Sequence, residues 1–420
     1  MSAQVNDRRR FLTGALSALT AGLVARPSRV ASGEAETPPR IGREHYVTLG
    51  RTGMSVSPVA AGLSLKASDL VAAADAGINY FDTAEKYLNL EHNRMVGQAL
   101  KGRERKTIFV SAKFQDGLQK ELTASTDEIV IRVNQCLERL GTDYIDCMLI
   151  HNVQNPDALD NPKWLAAYER LKTDGKVRCL GASTHDPKLS DIVARIVQSN
   201  RYDLMLLAYN PTTDGDLYGS RGWPAIPRLL EEAGRKQIAV STMKVMIGAV
   251  AAGAAKGVGP DGIDPNDIKA RSKYLDARIA ATRWVLSNPN VHVVQFTMTG
   301  PETVAAAVTA ATTRFTATDK VVATAYHHAT RGQGCPVPCP APCLDACPAE
   351  VAIPDVLRHR MYYEHFGLQK QAMLEYGALP PAQQARVCLD CPSQACVQAC
   401  PEGRPVKDLT RGTHALLTLA

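Results

Sequence analysis

The 420-residue sequence holds no run of about 18 apolar residues in its body, which excludes an ordinary membrane-spanning helix there. It also lacks a concentrated basic face. The formal charge is +6, but Arg8, Arg9, Arg10, Arg26 and Arg29 all fall in the first 35 residues, opposed there only by Asp7 and Glu34, so nothing further on argues for nucleic acid. A third absence is local. RGQGCPVPCPAPCLDACP, residues 331–348, spaces Cys335, Cys339, Cys343 and Cys347 four apart, which on a helix would line one face. Pro336, Pro338, Pro340, Pro342 and Pro348 remove backbone donors and exclude a continuous helix, so the segment is expected to be a loop folded around something.

At the other end, DRRRFLTGALSALTAGLVA sets a basic cluster before an uncharged apolar run from Phe11 to Ala25. This is the layout of a signal peptide, and RRRFL resembles the twin-arginine export motif. The reading expects a leader over residues 1–35, cut after Ala35 or Ala25, then a linker over 36–43. It implies the twin-arginine machinery as a partner, an exported or periplasmic location and no stable span after cleavage. A disordered basic tail or a cytosolic N-terminal helix is the alternative.

From Tyr46 onward, short β-rich apolar runs alternate with helical patterns, the signal for parallel strands joined by crossover helices. Eight such runs are expected at 56–64, 79–84, 107–114, 144–151, 177–184, 203–210, 237–245 and 291–298. Eight strand–helix units predict an α/β fold, a (β/α)8 TIM barrel, with its site at the C-terminal ends of the strands. The segment HYVTLGRTGMSVS before the first strand predicts a hairpin plugging the opposite end. Polar groups stand at those strand ends: Asp82, Tyr87 five residues later, Lys113 and His151.

GINYFDTAEKY, FVSAKF and TDYIDCMLIH resemble three signature segments of the aldo-keto reductase family, and LGRTGMSVS resembles its opening hairpin. The resemblance covers residues 44–315 and implies a barrel over 44–328. It implies that Tyr87 protonates a carbonyl oxygen while a nicotinamide gives hydride to the carbon, that Lys113 lowers the cost of the phenolate, that Asp82 holds Lys113, and that His151 donates a hydrogen bond to the substrate oxygen. By the same resemblance Ser183, Asn210, Lys244 and Gly300 would handle the NADP or NAD cofactor, Gly300 by opening a helix start to an anion. The chain departs from the family pattern at Thr184, Leu206, Met243, Ala306 and Ala307, and it places no arginine for a 2′-phosphate. The substrate expected is a small carbonyl or alcohol; the loops NPTTDGDLYGSRGW and KGVGPDGIDPND carry no charge pattern that identifies it.

A second cysteine set, Cys388, Cys391, Cys396 and Cys400, also spans twelve positions and also closes in Cys-Pro. The two sets form an internal repeat within residues 329–420, separated by VLRHRMYYEHFGLQKQAMLEYGAL, which predicts one or two amphipathic helices. The repeat resembles bacterial ferredoxins and implies a small α-helical, cysteine-rich domain with two 4Fe-4S clusters and a redox partner. In that family the fourth cysteine of each set serves the other cluster, which would exchange Cys347 and Cys400. The spacings, x3, x3, x3 and x2, x4, x3, differ from the usual x2, x2, x3. Two zinc sites, four disulfides or one filled cluster site remain alternatives. Cys136, Cys147 and Cys179 are expected to be buried barrel thiols. Two functions from different classes follow: an exported oxidoreductase coupled to an electron-transfer module, or a non-catalytic ligand-binding or regulatory barrel with a structural metal domain.

Overall fold

The computed structural model describes residues 40–114, 124–211, 223, 225–246, 268–330, 335, 339–365 and 368–418. The leader and linker up to Pro39, and most of the two uninterpreted loops, lie outside these residues. The described residues form one compact unit holding separate apolar cores.

An antiparallel pair, β1 (Val47–Thr48) and β2 (Ser55–Val56), precedes the barrel. The barrel strands are β3 (Val59–Ser64), β4 (Tyr80–Ala84), β5 (Phe109–Phe114), β6 (Ile145–Ile150), β7 (Val177–Thr184), β8 (Leu204–Ala208), β9 (Ala239–Met243) and β10 (Val293–Met298). They pair in parallel and in sequence order, and β10 closes onto β3. All eight expected strands are present. The helices around them are α1 (Ala67–Asp75), α2 (Glu91–Leu100), α3 (Thr126–Leu140), α4 (Pro162–Thr173), α5 (Leu189–Ser199), α6 (Ala225–Arg235), α7 (Ile268–Leu286), α8 (Pro301–Thr312) and α9 (Ala317–Thr330).

Local chemistry explains these elements. In α3, the side chain of Ser125 accepts from the Glu128 amide while Glu128 accepts from the Ser125 amide, a reciprocal cap, and Gly141 ends the helix in the left-handed region at φ 65°. Its apolar face, Ile129, Val133, Cys136 and Leu140, is buried against the barrel. Inside the sheet, Gly181 of β7 leaves room where a Cβ would meet the Leu204 carbonyl at 2.8 Å. Strand approach there requires glycine.

The hairpin closes the bottom of the barrel as expected. Leu49 and Val56 pack on Tyr80, Phe109 and Leu204, and Arg51 reaches Asp203 at 2.7 Å, Asn200 at 2.7 Å and the Tyr202 carbonyl at 2.8 Å. Cys136, Cys147 and Cys179 are buried in barrel elements.

The C-terminal region contains α10 (Pro342–Asp345), α11 (Ile353–His365), α12 (Gln369–Gly377), α13 (Ala395–Gln398) and α14 (Val406–Leu417). Among its described residues the proline-rich segment holds only the short α10, which begins on Pro342, where a missing N–H costs nothing. Ile353, Val356, Ala372, Tyr376 and Val406 form the apolar centre of this region, together with Cys343 and Cys388. Among the described residues no helix is long and apolar enough to cross a membrane.

Candidate active site and cysteine quartets

The barrel register brings the four expected residues to one end. Asp82 lies in β4, opposite Ser111 of β5, and Lys113 is two residues further along β5, so both side chains face the same side of the sheet. Asp82 accepts from Ser111 Oγ at 2.6 Å through one oxygen and is ion-paired to Lys113 through the other. Both side chains are almost fully buried. The His151 amide donates to the Phe114 carbonyl at 2.8 Å, which fixes the start of the β6 loop. Tyr87 opens a short turn after β4, with its ring centroid 4.7 Å from Lys113 Nζ and 6.0 Å from the His151 ring.

Four residues at this end of the barrel hold positive φ without being glycine: Leu88 (50°), Leu90 (75°), Asn152 (52°) and Lys244 (58°). Leu88 and Asn152 immediately follow candidate site residues, and Lys244 is itself one. Such conformations are costly for branched or long side chains and persist where surrounding contacts over-determine them.

Burial, then the charges of Asp82 and Glu375, push the Tyr87 phenol above its ordinary value. Tyr87 is therefore a protonated acid. Lys113 is lowered by burial against the opposing pull of Asp82. Burial and the charges of Lys113 and Lys86 hold His151 well below the usual imidazole range, so it is neutral, and its Nδ1 is buried without a partner. A neutral imidazole beside a phenol can donate to one substrate oxygen without charging.

His92 was not anticipated. Its Nε2 accepts from the Ser64 amide at 3.1 Å, so the proton sits on Nδ1, which meets Thr83 Oγ1 at 2.8 Å. Thr83 in turn donates to Asn93 at 2.8 Å. Burial lowers His92 to about 3, and its ring stands edge-on to Tyr87 at 5.6 Å. The EHN triplet after Tyr87 carries no recognisable signal of this role; only the fold brings β3, β4 and α2 together.

The expected cofactor residues divide. Asn210 donates to the Lys244 carbonyl at 2.9 Å and ties the ends of β8 and β9 together. Ser183 accepts from the Asn152 amide at 3.0 Å and donates weakly to the Ile150 carbonyl, so its hydroxyl shapes the β6 loop. At the same ends of the strands, the buried, partnerless Nδ1 of His151, after β6, and Oγ1 of Thr299, after β10, fit a polar ring such as a nicotinamide. A Cβ built on Gly300 would lie 3.0 Å from Glu302 Oε2, so the Glu302 carboxylate stands at the start of α8. Ala306 and Ala307 point into the protein and are buried. Met243 and Leu206 pack on the lower apolar cluster of the barrel.

Residues of α11 and α12 come to the same mouth. Gln154 Nε2, after β6, donates to Asp355 at 3.5 Å, and the charge of Glu375 acts on Tyr87. Tyr362 shares the fields of Tyr87, Glu375 and Arg358. Nothing in the sequence connects these residues with the barrel site.

The eight C-terminal cysteines fall into two spatial quartets. Cys347, Cys388, Cys391 and Cys396 line one cavity with Val351, Val387 and Lys407. Burial pushes Cys339 up to about 11 and Cys343 to about 12, and the charges of Cys335 and Cys400 act on both in the same direction, which places those four together. Arg404 donates to Cys335 Sγ at 3.0 Å and the Ala341 amide to Cys339 Sγ at 3.4 Å. Among the described residues all eleven cysteines are unbridged, and no three His, Cys, Asp or Glu side chains converge as they would on a single ion.

Residues 54–210 match the Aldo/keto reductase family. The uncharacterized oxidoreductase YqkF of Bacillus subtilis is 32% identical over 173 residues, 37% of this chain and 56% of that protein. L-galactose dehydrogenase of Arabidopsis thaliana is 33% identical over 150 residues, 32% and 46% of the two chains. Among solved structures, the aldo-keto reductase AKR11C1 of Bacillus halodurans aligns with 22% identity and a TM-score of 0.46, covering 67% of this chain and 95% of that one. The chain spans about half the length of these two curated relatives.

Proposed function

We propose that this chain is an exported aldo-keto reductase-like oxidoreductase that interconverts a small carbonyl and an alcohol, joined to a module of two iron–sulfur clusters. The observation that carries the catalytic half is the assembled tetrad: a protonated Tyr87, the buried Lys113–Asp82 pair and a neutral His151 at one barrel mouth.

A reduced nicotinamide bound at this mouth would supply the hydride. Tyr87 gives its proton to the carbonyl oxygen as negative charge gathers there, and the buried ammonium of Lys113 stabilises the phenolate left behind. Asp82 keeps Lys113 charged and directed. His151 donates a second hydrogen bond to the same oxygen, where charge develops in a site of low dielectric. His92, through its ring contact, fixes the angle of Tyr87. The carboxylate at the start of α8 favours a nucleotide without a 2′-phosphate over NADP.

The two quartets support the cluster half. Thiols from both sequence repeats gather in each, Cys347 with the second set and Cys400 with the first, as the ferredoxin resemblance implies. Four cysteines around an open cavity fit a bulky inorganic group better than one ion, and Arg404 and the Ala341 amide supply donors to sulfur of the kind such groups use. Clusters of this type pass one electron at a time to a redox partner. The leader supports export through the twin-arginine route, which carries folded, cofactor-loaded chains.

The test is turnover of a panel of small aldehydes and ketones with NADH and NADPH by anaerobically prepared full-length chain. Loss of the general acid in Tyr87→Phe should slow the reaction roughly 100-fold or more. Equal rates in the two proteins remove Tyr87 from the mechanism. A second reading, a barrel that binds ligand without turnover, is favoured by the occupied helix start, and it predicts no turnover in either protein.

A further inference from the structure

The proton donor of the tetrad stands on a strained piece of chain. Between the end of β4 at Ala84 and the start of α2 at Glu91, the backbone carries Tyr87 through a turn in which Leu88 and Leu90 take left-handed conformations, at φ 50° and 75°. Neither is glycine, so the turn does not keep that shape by its own preference, and contacts around it must impose it. Lys113 Nζ at 4.7 Å, the His151 ring at 6.0 Å and the His92 ring at 5.6 Å border the Tyr87 ring, and His92 meets it at an interplanar angle of 84°. Lys113 and His151 belong to the tetrad. His92 does not, and its hydrogen bonds reach back across the turn.

Thr83 and His92 flank the turn on its two sides, and Thr83 Oγ1 meets His92 Nδ1 at 2.8 Å, so one bond joins the ends of the segment that carries Tyr87. The neighbours fix its direction. The Ser64 amide, at the end of β3, donates to His92 Nε2 at 3.1 Å; a neutral imidazole carries a single ring N–H, which therefore lies on Nδ1 and points to Thr83. Thr83 accepts it and gives its own hydroxyl proton to Asn93 Oδ1 at 2.8 Å. Ser64, His92, Thr83 and Asn93 thus form a chain in which every donor points the same way, and it ties β3, β4 and α2 together at the base of the turn. All four residues are fully buried. Burial also lowers His92 to about 3, which keeps the imidazole neutral at ordinary pH. In a site of low dielectric such bonds hold their members more firmly than bonds exposed to water.

We infer that the Ser64–His92–Thr83–Asn93 chain is the positioning device of the proton donor: the His92–Thr83 bond closes the base of the Tyr87 turn, and the His92 ring, so fixed, holds the phenol where the substrate oxygen must meet it. The inference rests on the reductase reading and deepens it by giving the strained turn a cause and Thr83 a role. His92 and Thr83 are positioning residues and pass no proton to substrate. A donor displaced by a fraction of an ångström transfers its proton more slowly without loosening the hold on substrate, so the loss falls on kcat and spares KM.

The test uses anaerobically prepared full-length chain with NADH and NADPH and, as carbonyl probes, benzaldehyde, butanal and acetone. Thr83→Val keeps the shape of the side chain and removes the hydroxyl; it should lower kcat about tenfold or more with KM changed by less than about threefold, and Thr83→Ser should recover most of the loss. His92→Leu should match Thr83→Val, and if it does not fold, the two Thr83 variants decide. Because the chain acts through Tyr87, the losses should not add: in the Tyr87→Phe background Thr83→Val should slow the residual rate by less than about threefold, whereas a merely structural role would lower both backgrounds alike. If Tyr87→Phe matches wild type, the reductase reading fails and takes this inference with it. A Tyr87-dependent rate that Thr83→Val leaves within about threefold, or that Thr83→Ser does not recover, overturns this inference alone. A readout without turnover stands beside these. Nuclear magnetic resonance of chain with 15N-labelled histidine rings should show His92, identified by the signal missing from His92→Leu or His92→Asn, in the Nδ1–H form; an Nε2–H or charged ring overturns the chain.

Discussion

Replacing Asp82 by Asn tests whether the Lys113 pair organises the mouth. The two side chains are 2% and 4% exposed, so removing the carboxylate leaves an ammonium almost without solvent and without its counter-charge. Breaking such a pair costs about 3–5 kcal/mol. Asn keeps the shape and an acceptor for Ser111 Oγ, which points to the lower end of that range. Losing the carboxylate that raises it, the Lys113 ammonium moves further below its ordinary value. The sign of the pH dependence follows. A lysine whose folded pKa is depressed binds fewer protons when folded than when unfolded, so its penalty is fully present below the folded pKa and disappears as pH rises toward the unfolded value near 10.4. Asp82→Asn should therefore regain stability relative to wild type as pH rises from the depressed folded value toward the unfolded one near 10.4. Urea unfolding read by tryptophan fluorescence is suitable because all three tryptophans, Trp164, Trp223 and Trp284, precede the cysteine-rich region. Asp82→Asn/Lys113→Met should return most of the lost stability, since an apolar replacement of both partners removes the stranded charge. A cost below about 1 kcal/mol for Asp82→Asn, or a double variant no better than the single one, refutes the reasoning.

Other expectations follow from the same geometry. Glu302→Gln should tighten NADP+ more than NAD+, because it removes a negative charge from the start of α8; equal effects on both would show that no phosphate approaches that helix. Arg51→Ala should cost about 2–3 kcal/mol, since Asp203 and Asn200 lose a charged donor at the barrel floor, without altering the spectrum of the cysteine region. Cys347→Ser and Cys400→Ser should each perturb the electron paramagnetic resonance signal of the cluster assigned to the other sequence repeat, and a change confined to the parent repeat would contradict the exchanged quartets. Lysine in place of both Arg8 and Arg9 should hold the precursor inside the cell, and its normal appearance outside would remove the export reading.

The barrel was legible because its strands are short β-rich runs bounded by turn residues, and the tetrad because the motifs that resemble a known family fall at strand ends. Two limits were physical. His92 acts through hydrogen bonds to Ser64 and Thr83, contacts that exist only after β3, β4 and α2 assemble. Arg358 and Glu375 lie more than 200 residues from Tyr87 in sequence, and no local pattern reports that α11 and α12 face the barrel mouth. Burial is the first influence on the Tyr87 phenol, and its extent follows from the assembled mouth, which no local stretch of sequence reports. Gly300 was read from its place before a helix, and the position of the Glu302 carboxylate beside it becomes visible only in the folded chain.

The most direct test of the central claim, that the tetrad drives hydride transfer to a carbonyl, uses NADH and NADPH labelled with deuterium at the transferable position of C4. With a panel of small aldehydes and ketones, mass spectrometry of the wild-type products should find one deuterium on the carbinol carbon, formed roughly 100-fold more slowly by Tyr87→Phe. Alcohol without label, or label arriving equally fast in both proteins, contradicts the account.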